Sequence, residues 1–205
     1  MRVIDLSYRI SEGFALVSEH SDFHSGRSDG GLLATRIEVP GYLIAGGKTL
    51  NSFEPESFVR DAVLLDLTHM KPRQLIDDED LEAAEEGAGL AIREGEIAIL
   101  HTGWERFGSS EDYSSSHPAL SESGAEYLEF KRVVGVGTDL PNVDYPENQA
   151  LPVHSILMRG GIFVIESLCN LSEIDQPRFR LIALPPKIKA PVSTVRAVGA
   201  LDGLC

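Results

Sequence analysis

Apolar and polar positions along the chain resolve into short apolar runs separated by turn residues. Residues 3–7 (VIDLS) read as a first strand, residues 32–39 as a strand closed by Pro40 and Gly41, and residues 55–59 as a short helix. The run AVLLDL at 62–67 is apolar almost throughout, as are 96–101 and 133–137, the last ending at Thr138 and Asp139. Such unbroken runs mark strands covered on both faces. Residues 161–166, 179–185 and 192–198 supply the remaining strands. Residues 77–92 form the clearest helix: Asp77 or Asp78 can cap it, acids crowd its first turns, and Leu81, Ala84, Ala88 and Ala91 make an apolar stripe. Residues 121–130 form a second helix capped by Ser121. Residues 18–31 and the Ser-rich stretch 109–116 read as loops, and Gly46 with Gly47 marks a turn. Strands alternating with two helices predict an α/β fold with a mixed sheet, laid out as a single domain over residues 1–205.

Charge narrows the partners. The chain has 18 Lys+Arg against 32 Asp+Glu, a formal net charge of -14. That argues against nucleic acid, whose binders show a basic stripe, and against an anionic membrane surface. The sequence has no apolar stretch long enough to span a bilayer, and the opening MRVIDLSYRI lacks the apolar core of a signal peptide. The expected compartment is the cytoplasm. Two cysteines, Cys169 and Cys205, are too few for a disulfide framework, and Cys169, within an apolar run, is expected to be buried and inert.

The six histidines are His20, His24, His69, His101, His117 and His154. His154 stands out because the apolar segment after it carries an acid, Glu166, between Ile165 and Ser167. A buried carboxylate needs a partner. Histidine with a carboxylate is one way of holding a divalent metal, and backbone groups or an arginine are the bland alternative. Asp139 closes a core strand in GVGTDLP, where sites of α/β sheets accumulate, or else caps the turn before Pro141. Trp104, in HTGW just after a strand, either walls a pocket or joins the core. Gly46-Gly47-Lys48-Thr49 lacks the first glycine and the strand-loop-helix setting of a phosphate loop. No GxSxG elbow and no CxxC pair is present.

Taken in order, VIDLSYRISEGF, GGKTLNSFEPESFVRDAVLLDL, ILHTGW, HPALS, GVGTDLPNVD, VHSILMRGGIFVIESLCNLSEI and FRLIALPPKIK resemble the cyclase family, the group that contains bacterial kynurenine formamidase and isatin hydrolase. The resemblance implies a swivelling β/β/α fold, a homo-oligomer (dimer or tetramer), and metal-dependent hydrolysis of small amides or lactams by water activated on zinc or manganese. It places His154 and Glu166 at the downstream metal-ligand positions. The upstream ligand motif of the family, HxGTHxDxPxH, is absent. Aligned without a gap, Leu32 and Arg36 replace two histidines, Glu38 replaces the aspartate and Tyr42 replaces the last histidine. In a second alignment residues 35–39 are only the preceding strand and the motif is deleted before Tyr42, which the short separation of Gly30 from Gly46 favours. Arg36, if it points inward, either repels a cation or pairs with Glu166.

These readings predict a family member with its upstream metal motif lost: a degenerate hydrolase scaffold with weak or no amidohydrolase activity. The alternative is an active arylformamidase-like hydrolase. Its metal site would be rebuilt from His20 and His24, or His154, Glu166 and Asp139 would act as a metal-free acid–base site. The candidate catalytic residues are therefore His154, Glu166 and Asp139, with Trp104, Tyr42 and Arg36 lining a substrate pocket. His154 and Glu166 form a vestigial metal half-site. No cofactor is expected, or zinc or manganese if the site is rebuilt. The expected partners are a small-molecule ligand and further copies of the chain.

Overall fold

In the computed structural model, residues 1–10, 34–108, 110, 112–145 and 147–201 are described. His20, His24, Leu32 and Cys205 lie outside them. The strands are β1 (Arg2–Asp5), β2 (Arg36–Glu38), β3 (Val59–Asp66), β4 (Leu75–Ile76), β5 (Ile97–His101), β6 (Ala119–Leu120), β7 (Gly135–Thr138), β8 (Phe163–Glu166), β9 (Arg178–Ile182), β10 (Val192–Thr194) and β11 (Val198–Leu201); all but the short pair β4 and β6 arise from the apolar runs. Helices are α1 (Asp78–Ala88), α2 (Asp112–Ser115), α3 (Glu122–Phe130) and α4 (Pro152–Arg159).

Nine strands form one mixed sheet in the order β1-β11-β9-β3-β5-β7-β8-β2-β10. Its centre, β3-β5-β7-β8, is parallel, and the strands on either side join antiparallel. Side chains on successive strand positions point to opposite faces, so the unbroken apolar runs feed two cores. Val63, Leu65, Ala98, Leu100, Val136 and Val164 pack with Leu81, Leu128 and Leu157 from the helices. Ala62, Ile97, Ile99, Phe163 and Ile165 pack instead with Ile4, Leu6, Ile37 and Leu181. This is the α/β fold with a mixed sheet that the pattern predicts.

Local chemistry sets most boundaries. Asp77 and Asp80 form a reciprocal capping box at the start of α1, and Gly89 in the left-handed conformation (φ 66°) ends it. The helix therefore stops short of the predicted residue 92, and Ala91 is exposed rather than part of an apolar stripe. Ser121 caps α3 by accepting from the Gly124 N–H, as expected. Other segments differ from the sequence reading. Residues 192–198 are two strands, because Val195 N–H turns to Thr35 and Ala197 accepts from Leu6 N–H, sending β10 to β2 and β11 to β9. Residues 109–116 are not simply a surface loop, since the single turn α2 carries a fully buried Tyr113. The sequence pattern announces no helix over residues 152–159, yet α4 forms there, with Pro152 in its first turn and buried Val153, Leu157 and Met158 seating it on the sheet.

Close packing of β7 on β8 generates the first prediction. A Cβ on Gly135 would lie 2.3 Å from Phe163 Cε2, inside the core, whereas a Cβ on Gly87 in α1 meets nothing within 4 Å. Gly135→Ala is expected to lower stability by about 1–3 kcal/mol through overpacking. Gly87→Ala is expected to raise it by about 0.5–1 kcal/mol through helix propensity. Urea midpoints of the two variants check this, and a Gly135→Ala midpoint at or above that of the unsubstituted chain contradicts the packing.

Candidate functional site

Four elements bring the candidate residues together. Strands β2 and β8 run antiparallel with Arg36 opposite Glu166. Arg36 and Glu38, two positions apart on β2, share the face on which Glu166 lies. The first turn of α4 supplies His154, and the segment after β7 closes over Glu166, whose Oε1 accepts from the Val143 N–H at 2.8 Å.

Asp144 positions the helix and the imidazole together. Residue 151, before α4, offers no side-chain cap. The Asp144 carboxylate does the capping from outside, accepting from Val153 N–H (2.9 Å) and His154 N–H (3.0 Å), with His154 Nδ1 2.7 Å from its Oδ2. Opposite Nδ1, His154 Nε2 stands 3.2 Å from Glu38 Oε2 and 3.4 Å from Glu166 Oε1. Arg36 enters from β2: its Nε donates to Glu38 Oε1 at 2.9 Å, and its Nη2 donates to the Pro141 carbonyl at 2.7 Å and to Glu166 Oε2. All five side chains are buried. Arg36 Nη1, Glu38 Oε2 and His154 Nε2 make no hydrogen bond.

The electrostatics follow from burial opposed by neighbours. Burial alone would favour neutral His154, but Asp144, Glu166 and Glu38 hold its pKa well above the usual histidine value. Burial would likewise raise the Glu38 carboxyl, yet His154 and Arg36 beside it hold it well below the ordinary carboxylate range. Arg36 stays charged, burial notwithstanding, because Glu166 and Glu38 face it. Three carboxylates thus meet a guanidinium and an imidazolium in one dry cluster. Ligand atoms of Glu38, His154 and Glu166 also lie within 4.8 Å of one another, a spacing that could hold a metal ion.

The other sequence candidates separate from this cluster or border it. The Tyr42 ring sits 6.1 Å from the His154 ring, and burial followed by Glu38 and Glu166 raises its hydroxyl pKa. Asp139 is fully buried, and its carboxylate accepts from the Thr102 N–H (2.9 Å), the Thr102 hydroxyl (2.8 Å) and the Glu105 N–H (3.4 Å). These bonds tie the HTGW loop to the end of β7. No hydrogen bond or ion pair among the described residues joins the Asp139 carboxylate to Glu38, His154 or Glu166. Trp104 is a core residue: it is 2% exposed, donates through Nε1 to the Tyr113 carbonyl at 2.9 Å, and packs on Phe107. Cys169 is buried, and burial with Glu105 and Asp5 nearby pushes its thiol up to about 12, an inert thiol as expected. His117 is buried with Nδ1 2.6 Å from the Pro118 carbonyl, and burial lowers its pKa to about 4.

Glu38 and Asp144 complete the cluster, although the sequence marks neither as catalytic: Glu38 stands out only as the residue aligned with a family aspartate, and the signal of Asp144 is an acid in the stretch GVGTDLPNVD, which otherwise reads as core edge. Strand β2 places Arg36 and Glu38 beside His154 and Glu166.

Comparison with known proteins agrees with this geometry. Residues 4–145, more than half of the chain, match the family model named Cyclase ("Putative cyclase"). The kynurenine formamidase of Bacillus cereus is 28% identical over 165 residues, covering 80% of this chain and 73% of that protein. That of Polaromonas naphthalenivorans is 38% identical over 85 residues, 41% of this chain; the match spans only 38% of the relative's own length. The structure of isatin hydrolase A from Labrenzia aggregata, bound to benzyl benzoate, superposes with a TM-score of 0.79 over 97% of this chain and 93% of that one, at 19% identity. It shares the fold. The family model covers more than half of the chain, and the chain belongs to the cyclase family.

Proposed function

We propose that this cyclase-family chain is a degenerate hydrolase scaffold in which metal-dependent hydrolysis of small amides is weak or absent. The observation that carries the reading is the guanidinium of Arg36, fully buried and hydrogen-bonded to both Glu38 and Glu166. A catalytic zinc site takes three protein donors and leaves one position for water. Here Glu38 Oε1 and Glu166 Oε2 accept from Arg36, and Glu166 Oε1 accepts from the Val143 N–H. Glu38 Oε2 and His154 Nε2, 3.2 Å apart, are taken up by each other as an ion pair. A guanidinium cannot give up its charge, and a fixed positive charge between the carboxylates opposes a second cation. The donor set as it stands therefore does not fit a tightly held divalent ion. What remains is a rigid polar cluster: Asp144 orients His154, Arg36 clamps the carboxylates, and Tyr42 borders them. The scaffold then serves to bind a small molecule or to assemble with further copies of itself.

The relatives named kynurenine formamidase and isatin hydrolase define the assay. Purified protein is expected to carry no stoichiometric zinc or manganese and to hydrolyse an aryl formamide weakly or not at all, with or without added metal. Elemental analysis finding about one ion per chain, lost with activity on His154→Ala, overturns the reading in favour of a metal enzyme. Robust metal-free hydrolysis abolished by Glu166→Gln overturns it in favour of acid–base chemistry at His154.

A structural cluster also makes a prediction about stability. Glu166→Gln removes one partner of a buried ion pair and leaves Arg36 undercompensated, so it is expected to cost about 3–5 kcal/mol in a urea titration of the metal-free protein. An unchanged midpoint contradicts the ion-pair role of Glu166.

A further inference from the structure

We infer that Glu105 is a pH-sensitive latch between the HTGW loop and the segment that follows β8, closed while its carboxyl carries a proton and loosened when that proton leaves. The inference is independent of the charge cluster around Arg36. Its first support is position. Residue 105 stands past the carboxyl end of β5, in the short 3-10 turn Trp104–Phe107. Its backbone N–H donates to Asp139 Oδ2, after β7, at 3.4 Å, and its carbonyl accepts from the Tyr8 hydroxyl, after β1, at 3.1 Å. Its carboxyl faces the N–H groups of Asn170 and Leu171, where a second 3-10 turn, Leu171–Glu173, begins. One half-buried side chain thus sits where the segments after β1, β5, β7 and β8 converge.

The second support is that no counter-charge meets this carboxyl. Asp139 faces it from the end of β7, Glu173 and the Cys169 thiol from the segment after β8, and the Tyr8 hydroxyl from the segment after β1. His101, at the end of β5, acts on Asp139, and Arg106, on the same turn as Glu105, is exposed and lies over the Phe107 ring. Among the described residues no Lys, Arg or His lies within ion-pair distance of Glu105 or Asp139. Glu105 Oε2 is buried without a hydrogen bond. An ionised carboxylate here leaves a charged oxygen unsolvated beside a second buried acid. Burial, followed by Asp139, pushes the Glu105 carboxyl up to about 7; the N–H groups of Asn170 and Leu171 offset part of this, and Glu173 adds to it. A motion that carries Glu105 into water returns it toward its ordinary value of 4.5. The stability of the closed latch is therefore complete below about pH 4.5 and is lost as pH rises through about 7.

Trp104, the one tryptophan of the chain, directly precedes Glu105 and reports on the joint. Its fluorescence is followed from about pH 5 to about pH 9 in the unsubstituted protein, Glu105→Gln and His101→Gln, the last because histidines titrate in the same window. Amide exchange at Asn170 and Leu171 is measured at about pH 6 and about pH 8 and corrected for the intrinsic pH dependence of exchange. A fluorescence transition with its midpoint near pH 7 is expected in the unsubstituted protein and in His101→Gln, and none in Glu105→Gln. Protection of the two amides is expected to fall between the two pH values by up to about tenfold with Glu105 and to stay level with Gln. A transition that survives Glu105→Gln, or that His101→Gln removes, overturns the inference, as does protection that falls equally in Glu105→Gln. Where Glu105→Gln does not fold, the unsubstituted protein with 13C-labelled glutamate carboxyls is titrated by NMR. One glutamate carboxyl titrating near pH 7, in step with the fluorescence, supports the latch, and all glutamates titrating below about pH 6 overturn it.

Discussion

Charge buried beneath a sheet has to be met where it lies. Glu38, Asp144 and Glu166 are each about 1% exposed or less, far from the water that would otherwise solvate them. Their compensation comes from Arg36 and His154, which are equally buried. Desolvating such ions costs several kcal/mol apiece, and the cost is offset only by close, well-directed contacts. That requirement reaches beyond the cluster. A slip of one residue between β2 and β8 would turn Arg36 and Glu38 to the opposite face and leave Glu166 alone. The Pro141 carbonyl and the Val143 N–H hold the segment after β7 against the same groups. Helix α4 starts where Asp144 can cap it. Strand register, a loop path and a helix origin are thus set by one electrostatic demand.

How much of this could be read from the chain follows from the range of each interaction. The central strands were legible because both faces of the parallel sheet are covered, and 62–67 alternates between two cores instead of between core and water. The start of α1 was legible because a capping box is local, and its early stop at Gly89 was missed because the apolar positions continue past it. Helix α4 was missed for the opposite reason: its cap is the side chain of Asp144, ten residues before His154, and no local motif announces it. The division of 192–198 was hidden too, since the same β-forming residues pair with β2 at one end and β9 at the other.

The candidate site divides along the same line. His154 and Glu166 were visible as polar residues in apolar surroundings, and the pairing of Arg36 with Glu166 was one of two outcomes open to an inward-pointing arginine. Glu38 and Asp144 reach the cluster only through strand register and the loop after β7, which a linear pattern does not encode. Asp139 and Trp104 were conspicuous for a different reason. Both belong to the joint between the HTGW loop and β7, where Thr102 and Tyr113 absorb their polar atoms. A polar residue at a strand end marks a place where backbone must be tied down as often as a place where chemistry occurs.

Family membership and chemistry come apart at this point. A divalent ion would concentrate two positive charges at one centre with a position open for water, and that open position is what lowers the pKa of water for attack on a carbonyl. Arg36 and His154 bring two positive charges spread over two side chains, and they neutralise the carboxylates through directed hydrogen bonds and close ionic contacts. The guanidinium offers donors only, with no site at which water becomes a nucleophile. Either arrangement brings two positive charges against the three buried carboxylates. Activation of water, which hydrolysis requires, is satisfied by the ion alone. In the proposed reading, an arginine on β2 therefore preserves the packing, register and helix placement of the cyclase fold while removing the step for which the site would otherwise exist.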